Sequence, residues 1–231
     1  MLTPLQKKTA QAIVNLFETG AVSGDYGHVT VASGDAGHLS YGRSQVTLAS
    51  GNLCSLIENY IQTANCAYGS AFEKYHKPLE KKDFALDFDE GFRALLRQAG
   101  TDPVMQAVQD RFFDEAFWRP ALRSADYISA TTALGVAIIY DSRIHGNWHA
   151  LRDQVIETSG SLESMGEEAW FASYVAHRRN WLATHSNDLL QKTVYRMESF
   201  RDLIMDENWS LALPLHIRGV KLSEDLLSEV A

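Results

Sequence analysis

Two carboxylates near the N-terminus have the types and setting for acid–base work. Glu18 directly follows Phe17 at the end of an apolar-faced segment, and Asp35 lies in the turn-forming run Gly34-Asp35-Ala36-Gly37. Cleaving a glycosidic bond needs one carboxylic acid to protonate the leaving oxygen. It needs a second carboxylate to activate water or to attack directly. A Glu among apolar neighbours tends to keep its proton, and a carboxylate on a wet turn stays ionised. Glu18 and Asp35 fit those two environments. Spacing by itself leaves simpler readings standing, a solvated residue at a helix end and an Asp that forms a turn.

The elements that would position these groups can be read from pattern. Thr3-Pro4 is an N-cap followed by proline at the first helical position, and Leu5, Ala10, Ile13, Leu16 and Phe17 share one face. That predicts a helix over about 4–19, with Gly20 just past its end. From Gly20 to Gly51 the chain is glycine-rich, with Val29–Ala32 and Leu39–Tyr41 as short β-like pieces, so a small β-hairpin lobe is expected over about 20–50. The remainder reads as helices. Leu53, Leu56, Ile57, Tyr60 and Ile61 give one period, and Phe88–Ala99 is another. A third is capped at Asp102-Pro103, and Ile128–His145 is apolar enough to be a central buried helix. Trp148–Thr158, Ser164–Leu182 and Asn187–Met205 complete the set. Lys74–Asp83 reads as a charged connection and hinge, and the tail from Asn208 as mostly loop. The expectation is one α+β, mainly α, domain over 1–231, two-lobed, with a cleft between the lobes.

The 231 residues carry 21 Lys plus Arg against 29 Asp plus Glu, a formal net charge of −8. With 45% hydrophobic and 22% charged residues this is an ordinary globular composition, which excludes disorder. The acidic balance argues against nucleic acid as a partner and suits a cationic one. No stretch approaches the ~18 apolar residues of a membrane span. The N-terminus does not read as a signal peptide, because Gln11 and Asn15 interrupt any apolar run. Cys54 and Cys66 lack metal-ligand neighbours and read as thiols in or near a core, with one disulfide left open. His145 and His149 are four apart, but Gly146 stands between them and no third ligand is evident, so no metal is expected. No serine sits in a Gly-x-Ser-x-Gly elbow, and Gly34-x-x-Gly37 lacks the Lys-Ser/Thr of a phosphate loop. No cofactor is implied. The tryptophans, Trp118, Trp148, Trp170, Trp181 and Trp209, read as core more readily than as sugar platforms.

Taken together, Glu18-Thr19-Gly20, the run Gly34–Gly42 and the following helix resemble the N-terminal signature of the chitosanases of glycoside hydrolase family 46, in the lysozyme-like superfamily. The central stretch Ala133–Gly146, with Tyr140-Asp141 and His145-Gly146, resembles that family's central helix. Arg196–Arg201 and the stretch Asn208–Leu215 resemble its C-terminal Arg-bearing helix and Leu-Pro loop. The resemblance implies a lysozyme-like fold and an inverting, endo-acting hydrolase of a β-1,4 amino-sugar polymer. Glu18 would be the general acid, and Asp35 the base acting on a water held with help from Ser40. A buried chain of Arg196, Asp141 and Arg178, with Arg179 as the alternative, would orient and tune Glu18. Tyr26, His38, Tyr41 and Asn52 would contact sugar. Asn52 departs from the family, which commonly has an Asp there for a glucosamine ammonium, and Thr19 departs from its usual Asp, Asn or Gln. A neutral Asn52 keeps a second reading open, a peptidoglycan glycosidase such as a phage lysin or antibacterial effector. A non-catalytic glycan-binding module is a third, disfavoured by the retention of Glu18, Asp35 and Ser40. The expected setting is extracellular or at the cell wall or periplasm, as a monomer acting on polysaccharide.

Overall fold

The computed structural model describes residues 2–31, 36–43 and 45–229. Nine longer helices follow in chain order among the described residues: α1 (Pro4–Glu18), α2 (Asn52–Ile61), α3 (Glu90–Ala99), α4 (Pro103–Phe113), α5 (Arg119–Ile128), α6 (Ala133–His145), α7 (Trp148–Ser159), α8 (Glu167–Ala183) and α9 (Tyr195–Met205). Strands β1 (Val29–Thr30), β2 (Ser40–Tyr41) and β3 (Val46–Thr47) lie between α1 and α2, and β4 (Leu215–Ile217) and β5 (Val220–Leu222) follow α9. The chain divides into two compact units, 1–22 with 117–231, and 23–116.

The first unit is helical and is built on α6. Residues Ala133 to Ser142 of that helix are all buried, so its apolar surface goes all round. α1 packs against it, and Ile13 and Leu16 of α1 are buried, at 0% and 1% exposed. α1 starts where the sequence predicts. The Thr3 side chain accepts from the Gln6 amide and the Gln6 side chain accepts from the Thr3 amide, a reciprocal cap with Pro4 in the first turn. α8 also packs on α6, and a Cβ at Gly135 would come within 2.4 Å of the Phe171 ring. Only glycine lets these two helices approach so closely. Trp148, Trp170 and Tyr174 stack into the same core, with Trp118 also buried, as expected of helical tryptophans.

The tail is more ordered than its sequence predicts. β4 and β5 pair antiparallel with Ile217 opposite Val220, leaving a two-residue turn of Arg218 and Gly219. Both turn residues have positive φ, 51° and 79°, which matches the right-handed twist of a tight hairpin. Each strand is only three residues long, too short for alternation to be visible in the sequence.

The second unit holds the expected β-piece, a three-stranded antiparallel sheet of two-residue strands in the order β1-β2-β3. Val29 faces Tyr41, and Tyr41 faces Val46. The sheet packs with α2, α3 and α4 on a core of Leu39, Leu53, Ile57, Tyr60, Phe72 and Phe92. The stretch expected as a hinge, Lys74–Asp83, contains a short helix, His76–Glu80, anchored by Leu79 at 1% exposure. Cys54 and Cys66 are free and half-buried, and burial with Glu58 beside it pushes the Cys54 thiol up to about 11. Among the described residues no helix is long and apolar enough to cross a membrane, and no His, Cys, Asp and Glu cluster has the makings of a metal site.

Asp102 ties this unit together. One of its oxygens caps α4 at the Val104 amide (2.9 Å). The other accepts from the Tyr60 hydroxyl and the Ala67 amide (2.9 Å). Burial alone would raise its carboxyl, but these three donors outweigh it and hold the group below the usual carboxylate value. Losing the cap and leaving the Tyr60 hydroxyl unpaired sets the cost of Asp102→Ala at roughly 2–4 kcal/mol. Because the folded-state value is depressed, this stabilisation is present above the unfolded value of about 4 and is lost as pH falls through the folded one. The difference in Tm between wild type and Asp102→Ala, measured from pH 7 down to pH 3, is expected to shrink on acidification. A constant difference would contradict the assignment.

Candidate active site

Glu18 is the last residue of α1. A helix C-terminus leaves unpaired carbonyls and carries partial negative charge, so it is a poor place for a carboxylate. α1 has no basic residue in its last turn. The compensating groups come from distant parts of the chain. The Arg218 guanidinium, on the β4–β5 turn, donates to the Leu16 carbonyl (3.2 Å). The Tyr195 hydroxyl, at the start of α9, donates to the Phe17 carbonyl (2.8 Å). Arg218 also lies over the Tyr195 ring, 4.3 Å from its centroid. Beyond the helix, Asn15 donates to the Val22 carbonyl and the Thr19 hydroxyl to the Asn15 carbonyl, fixing the exit of the chain. The backbone under Glu18 is therefore held from three sides.

Its side chain is held by Arg196. One nitrogen, Nη2, donates both to Glu18 Oε1 (2.7 Å) and to Asp141 Oδ1 (2.6 Å), and Nε donates to the same Asp141 oxygen (3.0 Å). Arg196 is 2% exposed, Asp141 0%, and Glu18 42%. The guanidinium also sits over the Phe17 ring at 5.1 Å. Burial works to lower the Arg196 value, but Asp141 and Glu18 outweigh it and hold it above the ordinary arginine range. Arg196 thus stays charged throughout. The expected apolar enclosure of Glu18 is replaced by something different, a half-exposed carboxyl on a buried cation.

The Arg–Asp–Arg chain is found only in part. Arg196–Asp141 is present, but Arg178, fully buried, is directed elsewhere. Its Nη1 donates to the Gly146 carbonyl (2.9 Å) and its Nη2 to His145 Nδ1 (3.1 Å). The alternative, Arg179, pairs with Glu198 (2.9 Å). Asp141 Oδ2 is buried without a hydrogen-bond partner among the described residues. The reason lies in the end of α6. That helix stops at His145-Gly146, and Arg178 satisfies a terminal carbonyl there instead of adding a second bond to Asp141. His145 is pulled down to about 4 by burial and by Arg196 and Arg178, with Asp141 opposing, so its ring is neutral and accepts at Nδ1.

In the other unit, Asp35 lies outside the described residues. Ser40, in β2, is 7% exposed, and its hydroxyl makes a long 3.5 Å contact with the His38 carbonyl. His38 has a φ of 58°, unusual for a side chain with a Cβ. Asp87 holds it there. One carboxylate oxygen bonds His38 Nδ1 (2.7 Å) and the other accepts from the Leu39 amide (2.9 Å), while Phe84 stacks on the imidazole at 3.5 Å. Asn52 is exposed at the first turn of α2.

One of the expected sugar contacts, Tyr41, is corrected, and a second, Tyr26, is half-buried with its hydroxyl already bonded. Tyr41 is 0% exposed and belongs to the core, because its partners in the sheet face inward with it. The Tyr26 hydroxyl is committed to Asp110 (2.9 Å), which also pairs with Arg43, and the Tyr26 carbonyl accepts from Gln109. Burial, opposed by Arg43 and aided by Asp110, pushes the Tyr26 hydroxyl up to about 12. Sequence reasoning missed Tyr195, Arg218 and Asp87, and it named His145 without its contact to Arg178. Arg218-Gly219 was the one legible signal, a turn dipeptide.

Comparison with known proteins bears on this geometry. The profile of glycosyl hydrolase family 46 matches residues 12–215. A chitosanase of Bacillus subtilis (strain 168) is 26% identical over 93% of this chain and 82% of its own length. A mutant chitosanase from Bacillus subtilis MY002, solved with 6 GlcN, superposes with a TM-score of 0.80 at 24% identity, over 94% of this chain and 96% of its own. A chitosanase of Gynuella sunshinyii, solved with chitotetraose, gives 0.80 at 22% identity, over 96% and 98%. The lysozyme-like, mainly helical fold agrees with these structures. The match runs from within α1 and covers α6, α9 and the three-stranded sheet together, and the chain belongs to glycosyl hydrolase family 46.

Proposed function

We propose that this chain cleaves β-1,4 linkages within chitosan by a single displacement with inversion. Glu18 is the general acid, and Asp35 the base for a water that Ser40 helps to hold. The observation that carries the reading is the clamp on Glu18, in which Arg196 takes Oε1 and Oε2 has no hydrogen bond among the described residues. A proton on Oε2 can pass to the leaving oxygen, and the negative charge left on the Glu18 carboxylate lies against the Arg196 guanidinium, which is already charged. Arg196 and Asp141 are positioning residues, and Arg178 acts one step further back through His145 and Gly146. His38 and exposed Asn52 are the sugar contacts retained in this reading. The relatives solved with 6 GlcN and chitotetraose support the substrate class, and the net charge of −8 suits a cationic polymer. A polymer of that size cannot enter a cell, so the enzyme acts outside it, as a monomer.

Glu18→Gln keeps the shape and the Arg196 contact but cannot donate the proton. Its kcat on chitosan is expected to fall roughly 10³-fold, with the melting temperature unchanged. Full retained activity would remove Glu18 from the mechanism. Proton NMR of the first products should show the α-anomer, since a single displacement on a β-linkage inverts. Early β-anomer would overturn the inverting reading.

Asn52 is the specific observation that keeps peptidoglycan in view, because a neutral side chain there suits an uncharged, acetylated sugar. Side-by-side assays on chitosan and on purified sacculi decide between the polymers. On the chitosan reading, Asn52→Asp should lower KM for fully deacetylated chitosan roughly 1.5- to 5-fold, as expected of one exposed ion pair, and added salt should erase the gain. No change in KM at low salt would remove Asn52 from the sugar path.

A further inference from the structure

A second cluster lies in the helical unit and takes no part in the proposed reaction. A cavity of about 440 Å³ opens between α5, the end of α6 and the start of α7, lined by Arg123, Ser124, Tyr127, Arg143, His149 and Arg152. Arg143 Nη1 donates to the Ser124 hydroxyl (3.0 Å) and lies 2.9 Å from His149 Nε2. Arg152 Nη1 lies 3.3 Å from His149 Nδ1. A neutral imidazole has only one accepting nitrogen, so it cannot satisfy both arginines. Arg123 has no hydrogen bond or ion pair among the described residues, and the one carboxylate bonded to these arginines is Asp153, on Arg152 (2.6 Å). Arg152 is also braced on the Tyr127 ring at 4.8 Å.

The cluster has more donors and more positive charge than its own acceptors can meet, in a chain whose formal net charge is −8. Burial and the neighbouring Arg123 pull Arg143 below its usual value. Burial, Arg143 and Arg152, opposed by Asp153, pull His149 down as well. The missing partner must be anionic and must offer several acceptor oxygens to converging guanidinium groups. A glucosamine ammonium is repelled here. A long polyanion is not needed, because the donors converge on one recess instead of tracking a surface.

We propose that this cavity binds a phosphate group, free or as a phosphate monoester, with Arg123, Arg143 and Arg152 as its donors and His149 recruited as a fourth. Binding adds negative charge beside His149, which also faces Arg143 from α6, Arg123 across the cavity and Arg152 and Asp153 on its own helix. The imidazole therefore takes up a proton when phosphate binds, which the midpoint of its own ring protons reports.

The test is an NMR titration of the full chain, following the His149 ring protons at constant ionic strength. Inorganic phosphate and glucose 6-phosphate are added in separate arms. A saturable shift with an upward move of the His149 midpoint is expected, and the tighter ligand identifies free phosphate or a monoester as the source. Arg123→Ala, an exposed and unpaired position with little risk to the fold, should weaken binding about tenfold, the cost of one charge-assisted hydrogen bond. Arg143→Ala with Arg152→Ala should abolish it, with thermal melting as the control for folding. No saturable shift with either ligand, a shift that equal chloride reproduces, or unchanged affinity in Arg123→Ala would each overturn the proposal.

Discussion

Arg196 is a buried cation whose single Nη2 nitrogen is shared between Asp141 and Glu18, and much of the helical unit follows from that demand. A guanidinium at 2% exposure is tolerable only with a carboxylate against it, and Asp141 at 0% exposure is tolerable only with the guanidinium. Asp141 is the one charge on the buried stretch of α6, so the helix that is apolar everywhere else must be oriented with this residue toward α9. α1 must then end where its last side chain can reach the same nitrogen. Removing Asp141 would leave Arg196 with only the half-exposed Glu18 against it and cost up to about 3–5 kcal/mol, the usual cost of breaking a buried pair. Stability and the aim of Glu18 are thus set by the same contact.

The end of α1 shows the same economy from the backbone side. A carboxylate at a helix C-terminus is opposed by the helix dipole by about 0.3–1 kcal/mol. Arg196 offsets that at the side chain, while Arg218 and Tyr195 donate to the carbonyls of Leu16 and Phe17. The short β4–β5 hairpin looks incidental by length, yet its turn delivers one of those donors. The protein keeps an unfavourable carboxylate position by gathering partners from α6, α9 and the tail around it.

What was legible in the sequence was what depends on local pattern. Thr3-Pro4 and Gln6 announce the start of α1, the unbroken apolar run of α6 announces burial, and Glu18, Asp141 and Arg196 are carried by recognisable motifs. What depends on three-dimensional pairing was not. Arg178 sits in the expected motif, but an orphan carbonyl at Gly146 competes for it and wins over Asp141. Tyr41 shares its alternation with residues that could face either way, and its register opposite Val29 and Val46 puts it in the core. The β4–β5 hairpin was hidden because three-residue strands carry too little pattern. Asp87, far from His38 in sequence, gave no sign that it would hold that residue at positive φ.

The pairing also fixes the protonation state of the core. Arg196 and Arg178 supply two buried positive charges, and Asp141 supplies one buried negative charge. His145, touching Arg178 and lying near Arg196, would make a third positive charge if protonated, and its value near 4 reflects burial together with that repulsion. Above that pH the ring is a neutral acceptor for Arg178, and the charge around Arg196 does not change between pH 5 and 8 on account of histidine. A histidine beside an ion-paired carboxylate is readily taken for a pH-setting group. Here its neutrality is a structural requirement of Arg178.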